Sequence, residues 1–405
     1  MALQAGFLIG DFVVAATLTW FLNWLALLPY RQLADEHWTE RARKLWPVRV
    51  GAGSTLWLVP ANLVLAQTWL LPEIAPSWGI AAVTSFLGAW TGSYSFHRKL
   101  FDWITPRAWL DQLFTSSAFR FGWWFLFLVL ISLMPKTFSW ETAVLIAVYP
   151  IFLAIWSAGG FVWALRFLGV VTPAPDRLRA LVDSVALRTN ARYRRVWLLK
   201  NTGSAAFAIP YTGDLLFSQR LITLQRDQEV AAIAAHELAH LSESRLVQAG
   251  RLLGSMAITP CLVLKPVLYR WGPTGILAVF GASWLLFMTA RRFSRKLETR
   301  ADSIGRANEP DAGAYARALA GVHQDNLIPA VMARKTTHPD LYDRLVSIGS
   351  TPEYPRPAKP STFSWQTIVL AVPLGILLGT KAVPLLTSRE PAPAYQSDDS
   401  FTPDR

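Results

Sequence analysis

Eight apolar stretches, at residues 6–29, 52–72, 78–94, 121–135, 142–170, 249–268, 273–290 and 364–386, leave this chain few ways to fold. Each approaches the roughly 20 residues that carry a helix across a bilayer, where every backbone N–H and C=O must find a partner inside the protein. Composition agrees: 52% of the 405 residues are hydrophobic, 16% are charged, and the mean hydropathy is +0.29. That is too apolar for an ordinary soluble domain of this length. The expected fold is predominantly α, a polytopic membrane protein of about eight transmembrane helices.

Cations set the expected orientation. Arg31, Arg41, Arg43, Lys44 and Arg49 lie between the first two stretches, and Arg98, Lys99, Arg107 and Arg120 between the third and fourth. Under the positive-inside rule these loops face the cytoplasm, as of a bacterial inner membrane, and both termini lie outside. The first stretch lacks a basic leader and a small-residue cleavage site, so it reads as an anchor. Topology and attraction to anionic lipid heads account for much of the net charge of +12, and nothing resembles a nucleic-acid-binding module. Asp11 lies near the outer interface, where solvation is expected. Cys261 reads as a small buried apolar residue.

The same count divides the chain into an N-terminal membrane domain at 1–170, a cytoplasmic part at 171–248, a transmembrane hairpin at 249–290 and a second cytoplasmic part at 291–350. A Pro-rich linker at 351–362, a last span at 363–387 and a polar, disordered tail at 388–405 complete it. Within the first cytoplasmic part a helix is expected from Pro175 to Arg188. Strands follow at Arg195–Leu199, Ala205–Ile209 and Leu215–Ile222, parted by Gly-containing turns. From Asp227 to Gln248 no Pro or Gly occurs, and the composition is that of a helix interior.

That last segment contains His236-Glu237-Leu238-Ala239-His240. Positions four apart share a helix face, so both imidazoles can reach one zinc ion while Glu237 leans toward its water as general base. A catalytic zinc takes a third protein ligand. Glu298 supplies it on this reading, from the stretch Arg291–Asp302. Asp302, one turn later, is placed to accept the outer N–H of a ligand histidine. The bland alternative for this pair is a solvated helix face with salt links to Arg295 or Arg300.

His-Glu-Leu-Ala-His, a hydrophobic hairpin, Glu298-Thr299-Arg300-Ala301-Asp302 and Thr337–Leu345 together resemble the integral-membrane zinc endopeptidases that include HtpX-type quality-control proteases and eukaryotic CAAX prenyl endopeptidases. The resemblance covers about 170 residues, from Arg177 to Leu345. It implies a small thermolysin-like α+β core split by the transmembrane hairpin. It also implies one zinc per chain on His236, His240 and Glu298, with Glu237 as base and Asp302 as orienting residue. The strand Ala205-Ala206-Phe207-Ala208 is similar to the family's cleft-lining segment, although Ser204 stands where the family has Asn and Asn201 lies three residues earlier. An exposed strand edge there could pair with a substrate backbone. His338 and Arg344 match family positions that could stabilise an oxyanion. Structurally, Arg344 could instead pair with Asp340 or another carboxylate, and His338 could cap a helix.

The expected function is therefore zinc-dependent hydrolysis of peptide bonds in membrane or membrane-associated proteins, for quality control or precursor processing. The expected partners are protein or peptide substrates and the lipid bilayer, with no nucleic acid. The rival is a non-enzymatic transporter or scaffold with a structural zinc. An intact base at Glu237 speaks against it, since a structural zinc closes its fourth position with protein.

Overall fold

The computed structural model describes residues 2–30, 33–71, 78–117, 119, 122–333 and 339–387. Its helices begin with α1 (Ala2–Leu27), α2 (Trp38–Leu70), α3 (Trp78–Leu100), α4 (Pro106–Ser116), α5 (Gly122–Leu133), α6 (Trp140–Ile155) and α7 (Phe161–Phe167). A mixed region follows with β1 (Val171–Pro173), α8 (Asp176–Thr189), β2 (Arg195–Leu199), β3 (Ala206–Ile209), β4 (Asp214–Ser218), α9 (Gln219–Leu224) and α10 (Asp227–Leu241). The chain then returns to helix in α11 (Arg245–Ser255), α12 (Leu264–Ala307), α13 (Ala314–Asp325), α14 (Leu341–Ser347) and α15 (Trp365–Thr387). His338 and the tail after Thr387 lie outside the described residues.

Among the described residues, four helical stretches are long and apolar enough to cross a membrane: Gln4–Tyr30, Trp38–Leu70, Trp140–Phe167 and Arg245–Thr289. The last contains two of the expected spans. Gly122–Leu133 and Trp365–Thr380 are shorter apolar helices. α3 is not among the four, because Thr84, Ser85, Gly88, Thr91, Gly92 and Ser93 dilute its apolar residues.

Residues 1–23, 51–93 and 364–405 form one compact unit. Here the small residues of α3 have a packing role. A Cβ on Gly88 would lie 2.3 Å from the Phe12 carbonyl oxygen, and one on Gly92 2.1 Å from that of Ala16. Glycines four apart thus let the α1 and α3 backbones touch, the device by which small residues join helices in lipid. Polar contacts tie α15 to α1 and α2: Gln366 Nε2 donates to Asn23 Oδ1 at 2.9 Å, and Asn62 Nδ2 to the Leu370 carbonyl at 2.9 Å. Asp11 departs from expectation. It is buried and accepts from Gln67 instead of meeting solvent.

The second unit, residues 24–50 and 94–363, holds the sheet. Strand order is β1-β2-β4-β3; β2 and β4 run parallel, while the outer pairs are antiparallel. β2 falls where the sequence places it. The third expected strand ends at Ser218 instead of Ile222, because Ser218 Oγ accepts the Leu221 N–H and caps α9. β1 was not anticipated. One sheet face packs Val196, Leu215 and Phe217 against α8 and α10, with Leu178, Val182, Val230, Ala234 and Leu238. The other packs Trp197, Ile209 and Leu216 against Phe161, Val162 and Leu165 of α7.

α10 is buried from Glu229 to His240, which its alanines permit by keeping its girth small. It stops at Leu241, earlier than composition suggests, and Ser244 Oγ caps α11 by accepting the Val247 N–H at 3.4 Å. From α11 the chain forms a helical hairpin. Gly272, at φ 61° and ψ −153°, breaks α12 in a conformation open to glycine. Cys261 Sγ, buried as expected, comes within 3.2 Å of Ser283 Oγ across the hairpin.

Because Gly92 sits against the α1 backbone, Gly92→Leu should destabilise the fold by about 1–3 kcal/mol or more. Gly79→Leu, where a Cβ meets nothing within 4 Å, should be neutral. Thermal unfolding of both variants in detergent tests the pair.

Candidate metal centre

Helix α10 carries His236 and His240 on one face, and the descending arm of α12 brings Glu298 to meet them. His236 Nε2 lies 3.8 Å from Glu298 Oε2, and His240 Nε2 lies 3.7 Å from Glu298 Oε1. The three side chains are buried, and one ligand atom from each falls within 4.8 Å of the others. Tetrahedral ligands about 2.0–2.1 Å from a zinc ion stand roughly 3.4 Å apart, so this group fits one with little adjustment. The donor set fits as well, since two imidazoles and a carboxylate leave a fourth position for water.

Behind His236 stands a buried polar chain. Tyr315 Oη lies 2.7 Å from His236 Nδ1 and donates to Asp302 Oδ1 at 2.7 Å, while His236 Nδ1 is 3.2 Å from that same oxygen. Arg344 grips Asp302 in two bonds, Nε to Oδ2 at 2.9 Å and Nη2 to Oδ1 at 2.6 Å. A neutral imidazole can satisfy this arrangement only with its proton on Nδ1. Nε2 is thereby left as a lone pair facing Glu298 and His240.

Charge fixes the protonation of the chain. Burial pushes the Asp302 carboxyl up, but its bonds to His236 and Arg344 outweigh that and hold it well below the usual range. Burial, together with the Asp302 charge, pushes the Tyr315 hydroxyl well above its ordinary value, so it stays a donor. The Arg344 guanidinium, although burial opposes its charge, is held up by Asp302 and stays cationic.

His240 has its own brace. Its Nδ1 is 2.7 Å from Glu243 Oε1, which also accepts from Arg251 Nη2 at 2.7 Å. The break after Leu241 makes this possible, because it folds Glu243 back beneath the ring. Glu243, Arg251 and Tyr315 were not singled out from sequence. The spacing of Glu243, three residues past His240, was a usable signal; Tyr315, 79 residues from His236, offered none.

A cleft of about 560 Å³ opens beside the centre. His236, Glu237, Tyr315 and Arg344 line it on one side and Ala205, Ala206 and Phe207 on the other; Ala208 does not reach it. β3 is an edge strand of the sheet. Ser218 N–H donates to the Ala205 carbonyl at 2.8 Å, and the alternation of an antiparallel ladder then turns the backbone groups of Ala206 and Ala208 toward the open edge. Ser204 anchors this strand: its Oγ donates to Asp325 Oδ2 at 2.6 Å and its carbonyl accepts from Asn326 Nδ2 at 2.7 Å. Asn201 instead donates to Asp111 Oδ2 at 2.5 Å. Arg344 pairs with Asp302, while the Asp340 side chain accepts the Met332 N–H at 2.9 Å.

A helix bearing two histidines and a glutamate, a carboxylate from a second helix and a strand-edged cleft form a candidate metallohydrolase site. Residues 175–351, less than half of the chain, match the sequence profile of Peptidase family M48. The match supports a zinc metallopeptidase, and it spans every residue of the centre described above. No curated protein matches the chain.

Two outcomes follow. Asp302→Asn strands a buried guanidinium and should cost about 3–5 kcal/mol at pH 7. A carboxyl held below its unfolded value stabilises fully above that value, so the deficit should be complete above about pH 4 and shrink as pH falls from there. Thermal unfolding of the metal-stripped protein at pH 7 and pH 3 measures this. Glu243→Gln should weaken zinc retention by about 10- to 100-fold, read by competition with a chromogenic chelator.

Proposed function

We propose that the protein is a membrane-embedded zinc endopeptidase acting on membrane or membrane-associated proteins, with its active site on the cytoplasmic side. One observation carries the reading: His236, His240 and Glu298 converge on one point, and His236 lines a cleft together with Glu237 and the strand residues Ala206 and Phe207. Zinc held there would lower the pKa of a water and polarise the scissile carbonyl.

The chain's own residues do the rest. A substrate segment lies extended along β3, adding a strand through the outward backbone groups of Ala206 and Ala208. Such backbone pairing reads no side chain, which suits an enzyme that takes many sequences. Glu237 accepts the proton of the attacking water and delivers it to the leaving amine. Arg344, bound to Asp302 and lining the same cleft, puts a fixed positive charge near the carbonyl oxygen as it gains negative charge. Asp302 and Glu243 hold the two imidazoles with Nε2 turned toward Glu298. The loop cations support the cytoplasmic placement, and the four long apolar helices support the membrane.

Glu237→Gln should keep one zinc per chain and lose cleavage of an unfolded protein substrate by about 10²- to 10⁴-fold. Zinc analysis and a gel-based digestion of the purified variant check both halves. Digestion at the wild-type rate would sink the assignment.

A further inference from the structure

Six cations of the segments 33–49 and 98–99 separate into two groups by what they touch. Arg43 pairs with Glu40 at 2.6 Å and Lys44 with Glu36 at 2.5 Å. Arg49 donates to the Leu327 carbonyl, and Arg98 to those of Asp102 and Ile104. Arg41 and Lys99 form no ion pair or side-chain hydrogen bond among the described residues, although they come from different helices and stand some 58 positions apart in sequence (99 − 41). They line the same pocket, of about 230 Å³.

Its remaining walls are amphipathic. Trp24, Leu27 and Tyr30 come from the end of one apolar stretch, Gln4–Tyr30, and Leu45 from near the start of another, Trp38–Leu70. The pocket therefore lies where such helices leave hydrocarbon, the level at which Trp and Tyr rings settle and anionic headgroups reside. Two unpaired cations beside aliphatic and aromatic walls suit a molecule with a phosphate at one end and a chain at the other. We propose that this pocket binds the phosphate headgroup of an anionic phospholipid, with Arg41 and Lys99 on the phosphate and Leu27 and Leu45 against the glycerol and first acyl carbons. Arg41 and Leu45 also sit on the helix that supplies Arg49 to the catalytic cleft two turns further on, so an occupant would brace that helix.

The test is native mass spectrometry of the full chain in detergent, titrated with phosphatidylglycerol, with phosphatidylcholine of the same chains and with inorganic phosphate. Wild type should hold one phosphatidylglycerol per chain in preference to both other probes. Arg41→Gln with Lys99→Gln should weaken it by roughly tenfold or more. Arg43→Gln with Lys44→Gln, an equal loss of charge at cations already paired, should leave it unchanged. Arg41→Lys with Lys99→Arg should bind as wild type, and each single Gln variant should fall between. Equal binding of phosphatidylcholine, or equal losses in the two double Gln variants, would overturn the site. Inorganic phosphate binding as tightly as the lipid would assign the cations to a free anion and overturn the lipid.

Discussion

The contact between Arg344 and Asp302 is the joint on which the site depends. Both groups are buried, where isolated charges are costly, and their two parallel hydrogen bonds use the geometry that best offsets that cost. Asp302 then has its position dictated from α14 while it serves Tyr315 from α13 and His236 from α10. Four helices meet at one carboxylate. Gly305, one turn along α12 from Asp302, completes the fit, since a Cβ there would lie 3.0 Å from the Tyr315 ring. The orientation of His236 is thus set by tertiary structure and not by α10 alone.

The legible parts of this arrangement were those with a short period. His236, Glu237 and His240 are readable because helix geometry converts a spacing of four into a shared face, and Glu298 and Asp302 repeat that spacing. β2 is readable because its apolar run lies between turns. Tyr315 and Arg251 were invisible for the opposite reason: their partners lie far along the chain or across a helix break, and no periodic pattern marks them. The strand expected to continue to Ile222 erred through a local cap at Ser218, a side-chain hydrogen bond that outweighs the β preference of Ile222. α3 shows a different limit. Gly88 and Gly92 look like dilution of a span when read for hydropathy, whereas in the folded unit they are the contact surface that admits α1.

Ser204 shows how a strand edge can be held from a distant part of the chain. Its short hydroxyl reaches Asp325, which Arg220 also grips at 2.7 and 2.9 Å, so the strand edge is held through α13. α13 also carries Tyr315. One helix therefore braces a candidate metal ligand at its first turn and the cleft-lining strand at its last, which fixes the width of the cleft between them.

The two histidines are not braced equally. Asp302 has both oxygens bonded to a buried cation, and three side chains converge on it. Glu243 relies on Arg251 alone, and its second oxygen is buried without a partner among the described residues. Arg251 belongs to α11, the first helix of the hairpin that turns at Gly272, and its side chain is more exposed than the Glu243 it holds. A displacement of α11 therefore reaches His240 through Arg251 and Glu243, whereas Asp302, which orients His236 from α12, is also held from α13 and α14. Of the two histidine positions, the one at His240 has the fewer supports, and both connect to the apolar helix pair, His240 through Arg251 of α11 and His236 through Asp302 of α12.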